Sequence, residues 1–81
     1  MIRPGDLCVV DSQPFVDLWR EESTGVRQWG DLRFTRLELA AVVAVVKERR
    51  FNRSYLNAYI LAPCGAGWAP VEHLRVVPQA R

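Results

Sequence analysis

The stretch from Gly65 to Val77 constrains this 81-residue chain more than any other. Gly65-Ala66-Gly67 reads as a turn, because glycine accepts backbone angles that other residues resist. It leads into Trp68 and then Pro70, which donates no backbone hydrogen bond and is preset for the start of a helical turn. One short turn over residues 71–74 then delivers a closing strand, Arg75 to Val77. A chain that ends in this order has its last strands held in one register. The ending names an architecture and no chemistry.

Upstream, Tyr55 to Ala62 alternates cleanly, with Leu56, Ala58, Ile60 and Ala62 on one face and Tyr55, Asn57, Tyr59 and Leu61 on the other. Period two over that length signals a strand. Pro4-Gly5-Asp6 is a turn before the β-rich Leu7 to Val10. The run Leu37 to Arg50 is ambiguous. Its first residues favour helix, but Val42-Val43-Ala44-Val45-Val46 is β-branched and apolar all round, as in a strand buried on both faces. A strand from about Ala40 to Glu48 is expected, bending near Ala41, with a hairpin tip over Glu48 to Ser54.

Residues 11–35 are irregular. Ser12 is placed to cap a short helix with Phe15, Leu18 and Trp19 on one face. Ser23-Thr24-Gly25 is a turn cluster, and Val26 to Trp29 a short strand broken by Gly30-Asp31. The expectation is one domain over 1–81 with a long irregular first loop at 11–35. Five strands result, at 7–10, weakly at 33–46, and at 55–62, 67–70 and 75–77, forming an all-β, small antiparallel barrel with a 3₁₀ turn before the last strand.

Composition bounds the function. The length is near the lower limit for a core without staples. With 49% hydrophobic and 25% charged residues and a net charge of +2, this is an ordinary globular composition and no dedicated polycation. Lys47 is the only lysine, so the positive charge resides on arginine, which forks to carboxylates and stacks on aromatics. Cys8 and Cys64 lie far apart and one histidine completes no zinc set, so no metal and no cofactor are expected. The N-terminus carries no apolar signal region, and the apolar run at 37–46 is too short for a bilayer. A cytoplasmic or virion location, with no membrane partner, is the expectation.

Pro4-Gly5-Asp6-Leu7, Val43 to Val46 and Trp68 to Val77 resemble the small SH3-like barrel proteins of phage and plasmid genomes. The resemblance implies an SH3-like barrel and an accessory or virion-associated assembly role. Eukaryotic SH3 domains have endings similar to Trp68-Ala69-Pro70, and the Ala-Leu-Tyr-Asp-Tyr start and paired tryptophans of that family are not in this chain. The plasmid-type dihydrofolate reductases are similar at Pro70-Val71 and Leu74. Ala66-Gly67-Trp68-Ala69 stands where their pore has Val-Gln-Ile-Tyr.

No catalytic constellation emerges, and His73 beside Glu72 reads as a turn residue. The candidate binding residues are Arg49, Arg50, Phe51, Arg53 and Tyr55 at the hairpin tip, with Trp19, Trp29 and Trp68. Arginine among aromatics suits protein interfaces, and also phosphates with stacked bases. A non-enzymatic interaction module with a protein partner or self-association is therefore expected, and no small-molecule substrate. A nucleic-acid-binding barrel is the first alternative and a divergent plasmid-type reductase the second.

Overall fold

The computed structural model describes the backbone of residues 1–21 and 27–78 and, within these, side chains other than those of 21, 27–31 and 50. Seven strands follow one another: β1 (Leu7–Val10), β2 (Phe15–Glu21), β3 (Arg27–Thr35), β4 (Ala40–Arg50), β5 (Arg53–Ala62), β6 (Gly65–Pro70) and β7 (Leu74–Val76). A 3₁₀ turn, Val71–His73, separates the last two. All neighbours are antiparallel in a single sheet of order β3-β2-β6-β5-β4-β1-β7. The sheet curls into a half-barrel.

The curl has local causes. The β4–β5 register slips by one residue between Val42 and Ala44, and a bulge of that kind bends a strand and increases its twist. A second slip falls between Asp17 and Trp19 on β2. On the concave side the sheet encloses Cys8, Val10, Val16, Leu18, Phe34, Val42 and Ile60, plugged by Ile2 from the N-terminus. Phe34, Leu18 and Ile60 are fully buried, and truncating any of them to alanine costs about 2–5 kcal/mol. Small residues, Ala40, Ala58, Gly67 and Ala69, sit where strands close in. A Cβ on Gly67 would lie 2.7 Å from Leu18 Cβ, so the approach of β2 to β6 requires glycine.

Several expectations need correction. Five strands become seven, because residues 11–35 are a β-hairpin within the described residues and not an irregular loop. Ser12 has φ of 63°, a left-handed turn rather than a helix cap, and Phe15, Leu18 and Trp19 belong to a strand. Leu18 enters the core while Trp19 is buried on the convex side, so a strand covered on both faces imitates a helical stripe. The part of the 11–35 region at 22–26 lies outside the described residues. The weak strand at 33–46 is two strands. Thr35 ends β3 because its N–H and its hydroxyl both donate to Glu38 Oε1, at 2.9 and 2.8 Å, folding the chain over before β4 begins.

Gly30-Asp31 does not break the expected short strand, because β3 runs on through both residues to Thr35, while β1, β4, β5, β6, β7 and the 3₁₀ turn stand where expected with shifted ends. The expected bend at Ala41 is the bulge after Val42, and the alternation of β5 points Ala58 and Ile60 inward. The turn before the sixth strand is Pro63-Cys64, with Gly65 to Gly67 already in the sheet.

Candidate functional site

The strands are unequal in length, and the inequality builds the site. β4 and β5 are the longest. β1 accompanies β4 only at Ala40 and Ala41, with Val42 bonded to the backbone of Gly5 and Asp6. β6 accompanies β5 only from Asn57 to Ala62. Past these points Ala44–Arg50 and Arg53–Leu56 continue as a two-stranded ribbon with no further strand beside either edge among the described residues. An isolated hairpin of this kind is marginal in water, so the ribbon depends on the sheet it grows from.

The ribbon turns on two residues. Phe51 and Asn52 have φ of 50° and 62° between the paired Arg50 and Arg53, the signature of a type I′ turn. Asparagine tolerates that conformation; phenylalanine is strained in it. Phe51 is also 92% exposed, so no burial compensates the strain where it sits. Arg53 holds its guanidinium carbon 5.7 Å from the Tyr55 ring centroid. Lys47 and Arg49 are exposed on β4.

Between the ribbon and the Pro70-Val71-Glu72 corner lies an open groove of about 730 Å³. Its walls are Glu48, Phe51, Arg53, Ser54, Tyr55, Leu56 and Asn57 on one side, and Trp19, Pro70, Val71 and Glu72 on the other. Asn57 is buried at its base and donates through Nδ2 to Glu48 Oε2 at 3.2 Å, which orients one groove carboxylate. Glu72 is 73% exposed at the opposite wall, with His73 Nε2 3.8 Å from its Oε1. The lining mixes aromatic faces with charges of both signs.

A ladder of rings stiffens the convex face behind the groove. Trp19 stacks on Trp68 with centroids 5.8 Å apart, and Tyr59 meets Trp68 edge-on at 5.2 Å. These three lie directly opposite one another across β2, β6 and β5. Each ring pair contributes about 0.5–1.5 kcal/mol beyond its burial.

The groove thus gathers Trp19, Phe51, Arg53 and Tyr55 from among the expected residues. Trp68 is half-buried beside Trp19 and supports the wall without lining it, and Arg49 lies outside. Trp29 lies across from Trp19 in the β2–β3 register, and Arg50 ends β4; their side chains are outside the described set. Sequence reasoning missed Glu48, Ser54, Leu56, Asn57 and the Pro70 to Glu72 wall. Pro70 was the available signal, since a residue without N–H ends β6 while β5 runs on.

The thiols are chemically quiet. Burial, and then the charge of Asp6, pushes Cys8 up to about 11, and burial with Glu38 raises Cys64. Neither is a ready nucleophile near neutral pH. Among the described residues, no group of three or more His, Cys, Asp or Glu side chains could hold a metal ion. Also among them, no helix is long and apolar enough to cross a membrane. The chain matches no protein-family model, no curated protein and no solved structure.

Proposed function

We propose that this chain is a non-catalytic interaction module, a small barrel of the SH3-like kind, that binds a protein partner in the groove between the β4–β5 ribbon and the Pro70 corner. The observation that carries the reading is Phe51. A strained, almost fully exposed aromatic at the rim of an aromatic groove costs stability and gains no packing, and such strain is characteristic of residues kept for contact. Trp19, Tyr55 and Arg53 beside it are the residue types that dominate binding energy at interfaces.

The test is selection of ligands from a displayed peptide library against the immobilised chain. Ligands selected on the chain should lose about tenfold or more in affinity to Tyr55→Ala and Phe51→Asn, the loss that separates a hot spot from a neutral contact. Ligands indifferent to both substitutions would refute the groove as the binding surface.

A second reading has its own observation. Lys47, Arg49 and Arg53 are all exposed on the ribbon, and they would suit nucleic acid. Binding to single-stranded RNA or DNA that falls steeply with salt and is lost in an Arg49→Ala, Arg53→Ala double variant would establish it. Glu48 and Glu72 in the groove walls favour the protein reading, because they repel phosphate.

A further inference from the structure

We infer that the groove is a strand-addition site, in which an extended segment of a protein partner pairs with the open edge of β5 at Arg53–Leu56 and continues the line of β6. The inference rests on the interaction reading above and specifies its mode. Successive side chains of a strand point to opposite faces, so a groove that follows one face touches every second residue. This groove touches Arg53, Ser54, Tyr55, Leu56 and Asn57 in succession. Its wall is therefore the backbone edge of β5, with the unpaired N–H and C=O groups that an edge presents.

The edge is open for a chemical reason. Pro70 faces Asn57 as the last pair of the β5–β6 ladder, and the chain then leaves the sheet in the 3₁₀ turn at Val71. The lane opposite Leu56, Tyr55, Ser54 and Arg53 is left to another chain. Backbone hydrogen bonds along such a lane give affinity without demanding a sequence, and flanking pockets give selectivity. Nucleic acid has no strand backbone to offer it.

Charge sets the direction of the guest. A segment continuing β6 runs antiparallel to β5, so its N-terminal end abuts Glu72 and its C-terminal end approaches Arg53. The fitting ligand has a basic residue first, alternating apolar residues against Trp19 and Tyr55, and a carboxylate last. The other edge of the ribbon is less inviting to a second copy. Lys47, Glu48 and Arg49 follow one another on β4, and charges on an edge strand discourage pairing.

Amide hydrogen exchange and NMR titration of the whole chain test this with two probes: acetyl-Lys-Val-Thr-Val-Glu-amide and its charge-reversed counterpart, acetyl-Glu-Val-Thr-Val-Lys-amide. Strand addition predicts protection of alternate amides within Arg53–Leu56, since alternate residues of a strand direct their polar groups to the same side. The first peptide should bind about two- to fivefold more tightly than the second, and Glu72→Arg should remove or invert that preference. N-methylation of one laddered amide of the peptide should weaken binding by roughly three- to tenfold. Side-chain shifts in the groove without alternate-amide protection would overturn strand addition and leave the interaction reading standing. Protection that grows with protein concentration alone would overturn the foreign partner in favour of a second copy. Failure of both peptides at millimolar concentration would also overturn strand addition, while the library selection decides the interaction reading separately.

Discussion

Replacing Phe51 with asparagine should make the protein more stable and a poorer binder at once. In the left-handed region an ordinary L-residue is disfavoured by about 1–2 kcal/mol, and asparagine escapes part of that penalty. A gain of about 0.5–1 kcal/mol is expected from the turn itself. The packing lost is small. With 92% of Phe51 exposed, the remaining twelfth of a side chain of about 200 Å² is worth on the order of 0.4 kcal/mol. The net expectation is a gain of about 0.1–0.6 kcal/mol, or up to roughly 4 °C in midpoint for a domain of this size. Thermal and urea unfolding followed by circular dichroism would measure it, with ligand affinity determined on the same samples. A variant destabilised by more than about 1 kcal/mol would refute the reasoning, because it would show Phe51 packed against the fold rather than offered to a partner.

Gly67→Ala should destabilise by about 1–3 kcal/mol in the same unfolding assay, since the added methyl meets Leu18 Cβ at 2.7 Å, whereas Gly5→Ala meets no atom within 4 Å and is strained only by its φ of 96°. Glu38 is held below its ordinary value of 4.5, first by the Thr35 N–H and then by its hydroxyl. A depressed folded value means the clasp stabilises at pH above about 4.5 and is lost as pH falls through the lower folded value, so Glu38→Gln should flatten the acid limb of a stability–pH profile. Cys64, half-buried, should react with a thiol reagent well before Cys8, which is fully buried and raised to about 11; equal rates in the folded protein would contradict the burial.

Both ends of the half-barrel and β5 could be read from residues alone, because their signals are local: Pro4-Gly5, the alternation through Ile60, and Pro70 before the short turn. The β2–β3 hairpin could not. Leu18 and Trp19 are buried on opposite faces, which erases alternation and leaves Phe15, Leu18 and Trp19 at helical spacing. Ser12 looked like a cap because a capping residue and a left-handed turn residue are drawn from the same short polar side chains. The site was half legible. Exposed arginines and aromatics at a tip announce themselves, whereas Asn57 and Leu56 matter because a neighbouring strand stops. That is a property of two strand lengths compared, and no single segment contains it.

The ribbon also separates two inheritances within one short chain. The Val45–Ala58 pair is the outermost that packs on the core, Asn57 beyond it still pairs with Pro70, and past Asn57 no further strand flanks the hairpin among the described residues. The segment past Asn57 contributes no residue to the core of the half-barrel. Each two-residue extension of both strands lengthens the arm by about 6.5–7 Å and returns every side chain to the same face. The core and the tip are in this sense separable, and foreign tips grafted between Val46 and Asn57 should leave the core unchanged.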